Sequence, residues 1–434
     1  MSAEAAGVVG IVALLALFLL KVPIAFAMAA VGFAGFATLG GVDPALSLLA
    51  QEVYETFTSY PLSVIPMFIL MGSFAYASGI SERLFSTTYT WVGGLRGGLT
   101  MATVLACAGF AAICGSTAAT AATMVKIALP EMKKYKYDDT LATGTVASAG
   151  TLGILIPPST VLIVYAILTE ESIGKLFIAG IVPGIILSLM FVAVVWILCA
   201  RNPALGPPGE STTWGAKLKA TKGITDAALL FALAIGGLML GWFSPTQAGA
   251  IGAAGALLIG LVRRKLTWNS FVASGKDGLL TATMVLFIIA GAIVFGRFMA
   301  VSKLPFLLAD WVGGLPLHRM AIIAVVLFIY FIGGFFMDSM AFMVVTLPIF
   351  FPIVTKLGFD PIWFGVMMVL VGEMGVITPP VGVNVFVIKG IAPDVPLGRI
   401  FKGIFPFLYA IILLTIAIVF VPEIATFLPG LVKY

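Results

Sequence analysis

Apolar stretches follow one another along almost the whole chain, separated by short polar breaks. Many of these stretches have the roughly 20 residues that a helix needs to cross the hydrocarbon of a bilayer. The pattern therefore predicts an all-α polytopic membrane protein. The first stretch, Val8 to Leu20, follows Glu4 rather than a basic cluster and leads into a second one, so we do not expect a cleaved signal peptide.

The apolar stretches form two similar halves, because four sequence motifs recur in the same order. The double proline Pro157-Pro158 aligns with Pro379-Pro380 in the strongest of these matches. The matched pairs are TWVGGL and DWVGGL, IALPEM and VTLPIF, GTLGILIPPSTVLIV and GEMGVITPPVGVNVFV, and KLFIAGIVPG and RIFKGIFPFL. Self-similarity of this kind predicts two structural repeats.

We predict the same series of elements in each half: two scaffold helices, an amphipathic arm, a third span, a re-entrant hairpin, a broken helix and a last span. The first half, residues 1–200, has scaffold helices at 5–40, an arm at 44–58, and transport elements at 60–200 with the hairpin at 98–132 and the broken helix at 138–169. A linker follows at 201–222. The second half, 223–434, has scaffold helices at 224–262, an arm at 266–277, and transport elements at 281–425 with the hairpin at 320–356 and the broken helix at 360–390.

The two halves are predicted to have opposite orientations, because each half makes five crossings and an odd number reverses the side on which the second half begins. With the linker in the cytoplasm, 17 of the 24 lysines and arginines fall on the cytoplasmic side and five, including Lys433, on the other. The positive-inside rule supports this arrangement of about ten spans. Both termini are then predicted to be periplasmic, and the two hairpin tips meet near the midplane.

The double prolines predict a cation site at each helix break. Each pair removes two backbone donors and disfavours helical geometry in the residue before it, which frees carbonyl groups nearby. Sodium prefers oxygen ligands, and interrupted helices present such oxygens inside a membrane. For a single proline kink, packing against neighbouring helices would be explanation enough, but two matched breaks favour a functional site.

Four further features fall inside apolar stretches. The run GSTAATAATM from Gly115 predicts a hairpin tip of small and hydroxyl residues, with helix packing as the alternative explanation. Asp338 is an aspartate deep in an apolar segment, which indicates a role in binding an ion or a substrate. Glu373 is a second carboxylate of this kind. For Arg297, two structural explanations are simpler than a functional role: a position near the end of a span, from which the side chain reaches the interface, or a pair with an acidic residue.

Composition excludes several other classes of protein. The chain is 61% hydrophobic and 10% charged, far outside the range of soluble proteins. Its three cysteines match no metal or disulfide spacing, and His318 is the single histidine, so a haem or other redox cofactor is not expected. We see no hydrolytic or redox centre and predict that the protein is not an enzyme.

The motifs GSTAATAATM, GILIPPST, FFMDSMAF and GVITPPVGVNVFV, with the duplicated WVGGL, closely resemble the large membrane subunit of TRAP transporters over essentially the whole chain. The resemblance implies an elevator-type importer in the bacterial inner membrane that uses Na⁺ to take up a small organic anion. The anion would be of the C4-dicarboxylate or sialic acid type, delivered by a periplasmic substrate-binding protein. A separate four-helix membrane subunit is also implied.

The resemblance further implies two sodium sites and a substrate site between the hairpin tips. The first sodium site would use Gly115, Ser116, Gly153 and Pro157, and the second would use Ser339, Gly375, Thr378 and Pro379. Substrate contacts would come from Ser116, Ser159, Asp338 and Asn384.

Two other functions remain open from the sequence. One is a sodium- or proton-coupled carrier of similar layout that works without a binding protein. The other is a channel or an energy-transducing membrane subunit, in which the broken helices would line an ion path. The absence of a ring of arginine or acidic residues disfavours this second alternative.

Overall fold

The computed structural model describes residues 2–431, so the predicted outer position of Lys433 and both chain ends lie outside the described residues. Within them the first half is entirely helical. Its helices are α1 Ala3–Leu19, α2 Ile24–Gly40, α3 Val42–Thr58, α4 Val64–Ala77, α5 Ile80–Val92, α6 Gly98–Cys114, α7 Thr117–Lys134, α8 Asp139–Gly150, α9 Leu152–Leu155, α10 Thr160–Thr169 and α11 Ile173–Arg201.

The linker and the second half are helical too. The helices are α12 Trp214–Ala220, α13 Thr225–Phe231, α14 Gly237–Met239, α15 Pro245–Val262, α16 Trp268–Ser302, α17 Leu304–Gly313, α18 Arg319–Phe336, α19 Ser339–Lys356, α20 Pro361–Ile377, α21 Val383–Ile391, α22 Leu397–Phe420 and α23 Glu423–Leu431. Three short 3₁₀ segments lie at Pro61–Ser63, Pro203–Leu205 and Thr221–Gly223, and a π-helical segment, Ala232–Gly236, joins α13 to α14.

Both hairpins and both helix breaks lie where the sequence predicts them. Helices α6 and α7 form the first hairpin, and α18 and α19 form the second. The first break separates α9 from α10 and the second separates α20 from α21, each at a cis Pro-Pro bond. By length and composition, seven helices in the described part could cross a membrane, or nine if each bent pair is one span. Helices α1 and α2, with 17 residues each, are at the short end of the spanning range.

The two predicted arms take different forms. In the first half α3 is a separate helix, and the chain bends by 56° between it and the helical segment Pro61–Ala77. In the second half residues 268–277 are the first part of the continuous 35-residue helix α16, so no break follows the arm. The sequence explains the difference, because Pro61 interrupts the first half whereas no proline lies between Pro245 and Pro305.

The contacts between the two halves come in pairs: where an element of the first half packs on one of the second, their counterparts in the opposite halves pack on each other too. Helix α2 packs on α16 as α4 packs on α15, and α8 packs on α22 as α11 packs on α20. Glycines allow these helices to approach closely. On α2, for example, a Cβ atom on Gly32 would lie 2.7 Å from the backbone nitrogen of Phe295 on α16. The packing therefore forms a scaffold from α1–α4 and α13–α16, and a second block from the hairpins, the broken helices and α11 and α22. The predicted division differs here, because it counted α4 and residues 281–302 of α16 among the transport elements, whereas these helices pack mainly on each other and on α2 and α15.

Arg297 forms the structural pair that was one of the two simpler explanations for it. Its Nε donates to Oε1 of Glu52 at 2.9 Å, and this pair ties α3 to α16 within the scaffold. At the base of the first hairpin, Lys133 pairs with Asp394, and this hydrogen bond lowers the pKa of the aspartate below its usual value.

The linker between the halves is fastened to the loop that precedes the first hairpin. The Gly209 N–H donates to the Gly93 carbonyl at 2.9 Å, and the Gly97 N–H donates to the Gly206 carbonyl at 2.8 Å. Further along, the indole N–H of Trp91 donates to the Thr221 hydroxyl at 3.2 Å. The linker therefore runs beside α5, the helix that connects the scaffold to the block.

Candidate functional site

The first hairpin tip consists of Gly115 and Ser116, between α6 and α7. Gly115 has φ +66°, a conformation that favours glycine, and it allows the chain to reverse at once. Ser116 begins α7, and its hydroxyl accepts from the Ala119 N–H at 3.4 Å. The tip is therefore a tight turn that leads directly into a helix N-terminus.

This tip contacts the first helix break. The Gly115 carbonyl accepts from the backbone N–H of Thr160 at 3.3 Å and from its hydroxyl at 2.9 Å. A Cβ atom on Gly153 would lie 2.5 Å from the Ser116 carbonyl oxygen and 2.8 Å from the Thr120 hydroxyl oxygen. Because glycine has no side chain here, two oxygens of the hairpin approach the backbone of the broken helix. The structure thus brings together Gly115, Ser116 and Gly153 of the first predicted sodium site, next to Pro157.

The second hairpin tip, Met337 and Asp338, meets the second broken helix in the same way. The final turn of α18 packs against α20, where a Cβ on Gly375 would lie 2.6 Å from the Cα of Gly334. Ser339, the first residue of α19, lies against Gly372. Thr378 ends α20, and its hydroxyl donates to the Met374 carbonyl. Ser339 and Gly375 therefore lie along the contact between the second hairpin and α20, and Thr378 and Pro379 follow at the end of that helix.

Glu373 joins the two hairpin tips. Its Oε2 accepts from the Thr117 hydroxyl and its Oε1 accepts from the Ser339 hydroxyl, both at 3.1 Å. Thr117 and Ser339 occupy corresponding places in the two hairpins, since they are the first residues of α7 and α19. A single buried carboxylate thus contacts corresponding residues of both halves.

A cavity of about 1020 Å³ lies between the scaffold and the block, and both tips line it. From the block, Ser116, Thr117, Asp338 and Glu373 face it, together with Thr160 of the first break. The scaffold wall consists of residues from α4, α16 and the start of α2. The cavity extends along α7 as far as Lys126 and along α16 past Asp277 to Ser270. Its volume suits a small organic molecule.

The carboxyl groups beside the tips are those of Asp338 and Glu373. None of the ion pairs within residues 2–431 includes Asp338 or Glu373. The hydroxyls buried without a hydrogen-bond partner in the described part of the chain include those of Thr120 on α7 and of Thr145 and Ser148 on α8. Hydroxyl, carbonyl and carboxylate oxygens are ligands that suit a hard cation such as Na⁺. The residues of this region therefore fit a monovalent cation better than an isolated anion.

The predicted substrate contacts divide into two pairs. Ser116 and Asp338 line the cavity. Ser159 is fully buried, where its hydroxyl accepts from the Leu162 N–H and begins α10. Asn384 is also buried, and its side-chain amide donates to the Ala147 carbonyl of α8 at 3.4 Å. The roles of all four as substrate contacts stay predictions.

Sequence reasoning noticed Glu373 as an intramembrane carboxylate but did not place it between the tips. The double proline six residues later located its helix, yet its partners are 256 and 34 residues away in the chain. Thr117 was grouped with the first tip without a specific role. The sequence carries no signal for these contacts, because Thr117 and Ser339 are recognised as corresponding residues only from the helix starts in the structure.

Comparisons with known proteins identify relatives of this chain. The family model described as "Tripartite ATP-independent periplasmic transporter, DctM component" matches residues 11–424. The chain is 39% identical over 390 residues to the C4-dicarboxylate TRAP transporter large permease protein DctM of Pseudomonas aeruginosa, covering 88% of this chain and 89% of that protein. It is 28% identical to the sialic acid TRAP transporter large permease protein SiaM of Vibrio cholerae over 387 residues, covering 89% and 90%.

Among solved structures, the Alcanivorax borkumensis YdaH transporter has a similar fold. The TM-score is 0.66 at 16% sequence identity, and the match covers 88% of each chain. At this identity the likeness concerns the fold alone, and it is the fold of a polytopic membrane transporter.

Proposed function

The chain belongs to the DctM family of tripartite ATP-independent periplasmic transporters, as a large permease subunit and not an enzyme. We propose that it imports a small organic anion together with sodium ions, by an elevator mechanism. A periplasmic binding protein would deliver the anion, and a small four-helix membrane subunit would complete the scaffold. The complex would lie in the inner membrane with both termini of this chain in the periplasm.

The observation that carries the proposal is the cavity lined by both hairpin tips. One wall belongs to the scaffold and the other to the block, so movement of the block would carry a bound molecule along the scaffold face. In the predicted topology, Lys126 and Asp277 lie toward the cytoplasm, and the cavity extends to them from the tips. This conformation therefore corresponds to the inward-open state of the proposed cycle.

Sodium coupling is supported by the charge at the tips. Asp338 and Glu373 would repel an organic anion if no cation were bound, because electrostatic forces are strong in a water-poor site. Sodium at the two helix breaks would offset this charge before the anion binds. At the first site, the carbonyl oxygens of Gly115 and Ser116 and the unpartnered hydroxyl oxygen of Thr120 would be the ligands of the ion. At the second site, the ligands would come from Ser339 and the end of α20.

The anion class rests on the relatives, which are described as transporters of C4-dicarboxylates and of sialic acid. Both kinds of molecule carry carboxylates and fit the cavity volume. The N-terminal ends of α7 and α19 point toward the tips and favour a negative group there. The choice between the two would depend largely on the binding protein.

The test begins with the binding protein encoded beside this gene, which is screened by thermal shift against organic acids. This chain and its small subunit are then reconstituted in liposomes, and uptake of the labelled acid is measured with the binding protein outside. We expect uptake only with an inward sodium gradient. Equal uptake in potassium alone would refute sodium coupling, and uptake without the binding protein would favour an independent carrier.

A further inference from the structure

One carboxylate contacts corresponding residues of the two hairpins. The Thr117 and Ser339 hydroxyls both donate to Glu373, one to each oxygen, at 3.1 Å. The repeat itself contains only one such group, because the position equivalent to Glu373 in the first half is Thr151, whose hydroxyl donates to the Ser148 carbonyl of its own helix. The connection between the tips therefore depends on one side chain.

A carboxylate in this position constrains both hydroxyls. It accepts hydrogen bonds through both oxygens, so each hydroxyl directs its hydrogen toward Glu373 and its lone pairs elsewhere. A displacement of one tip that moves Glu373 therefore also changes the hydrogen bond to the hydroxyl of the other tip.

The two hydroxyls are next to, or part of, the predicted sodium sites. Ser339 belongs to the second predicted site, and Thr117 follows Ser116 of the first. Ser339 also lies against Gly372, the residue before Glu373 on α20. Gly375 of the second predicted site follows Gly372 by three residues on the same helix. A cation that orders one tip would thus act on Glu373 directly.

We propose that Glu373 is the positioning residue that couples the two hairpin tips, so that sodium binds to the two predicted sites cooperatively. The inference rests on the proposed function, since it concerns the same cation sites. Cooperative binding is a property that the two sites would lack if each hairpin tip contacted only its own helix break. Coupling between two sites is reciprocal, and it is measured as a change in the affinity of one when the other is filled.

The test uses Na⁺ itself as the probe, with purified protein in complex with its small subunit. Binding of ²²Na⁺ is measured as a function of sodium concentration, with choline chloride holding the ionic strength constant. Thr117→Val removes the hydroxyl that donates to Glu373 and keeps the size and branching of the side chain, at a position outside both predicted ligand sets. Thr123→Val, which also lines the cavity from α7, is the matched control.

We expect wild-type protein and Thr123→Val to bind sodium with a Hill coefficient well above about 1, and Thr117→Val to bind with a coefficient of about 1. The half-saturating sodium concentration of Thr117→Val should rise about fivefold or more. Glu373→Gln should behave similarly, because the amide can accept from one hydroxyl but must donate to the other. Thermal unfolding in sodium-free choline chloride checks that Thr117→Val is folded at the temperature of the binding measurement, so that a changed Hill coefficient reports coupling rather than loss of the fold.

Three outcomes are distinguishable. Absence of saturable sodium binding by wild-type protein would contradict the proposed function, and this inference with it. Sodium binding to independent sites in the wild type would overturn the inference and leave sodium coupling intact. An unchanged Hill coefficient in Thr117→Val would also overturn it, because the two tips would then be coupled by other contacts.

Discussion

Gly144 of α8 lies in backbone contact with Gly403 of α22, so the broken helix of the first half packs directly on the last helix of the second. A Cβ atom on either glycine would overlap the backbone of the opposite helix. In a membrane, where lipid is as apolar as the side chains, close packing of small residues is a main source of helix association. This crossing therefore holds the two halves of the block together.

Replacement of this glycine should weaken the block. We expect Gly144→Ala to reduce the free energy of unfolding by about 1–3 kcal/mol, because the added methyl forces the two helices apart. Thermal unfolding of the purified protein measures the effect. Gly398→Ala is the matched control on α22, where a Cβ meets no atom within 4 Å and alanine favours the helix. Equal unfolding temperatures for the two variants would contradict this account of the crossing.

The hairpins and the breaks could be predicted from sequence because their causes are local. The prolines at 157–158 and 379–380 interrupt any helix, and the small residues from Gly115 indicate a reversal of the chain. Local reasoning does not predict that α16 is continuous. The amphipathic stretch indicates an arm, and only the absence of a proline after it indicates that the arm continues into the span. Boundaries without a helix breaker are thus the ones that sequence patterns place poorly.

The site was only partly predictable for a different reason. The double prolines locate the breaks, but only the resemblance to TRAP transporters pairs Gly115 of the first tip with Gly153. Side chains such as Ser159 and Asn384 lie on helices next to the breaks, and their direction depends on how distant helices pack. The bridge through Glu373 links three elements far apart in the chain, which one sequence without its structure does not reveal.

The pair of Glu52 and Arg297 should stabilise the scaffold as a unit. Glu52 is buried, so Arg297→Leu leaves a carboxylate without its partner, and we expect a loss of about 1–3 kcal/mol. In the double variant Glu52→Leu/Arg297→Leu, apolar packing replaces the pair, and much of the loss should be recovered. Thermal unfolding of the two single variants and the double variant measures the coupling. If the losses of the single variants simply add, the pair contributes no coupling energy.

Gly115 offers a test of the first predicted sodium site. A Cβ there would lie 2.7 Å from the Pro158 carbonyl oxygen, in a backbone conformation with φ +66°. Gly115→Ala should therefore separate the tip from the break and abolish most of the stabilisation that sodium gives against thermal unfolding. Gly358→Ala is the matched control, because its φ is +75° but a Cβ there meets no atom within 4 Å. The site assignment is wrong if both variants retain the full stabilisation by sodium.

Asp338 should be essential for transport without being essential for assembly. It lines the cavity at the second tip, and no basic residue in the described part of the chain pairs with it. Asp338→Asn keeps the size of the side chain and removes its charge, so we expect sodium-driven uptake in liposomes to fall about tenfold or more. Copurification with the small subunit should persist. Asp43→Asn, on the exposed part of α3, controls for the general effect of losing one negative charge. Wild-type uptake by Asp338→Asn would exclude its carboxylate from the ion and substrate sites.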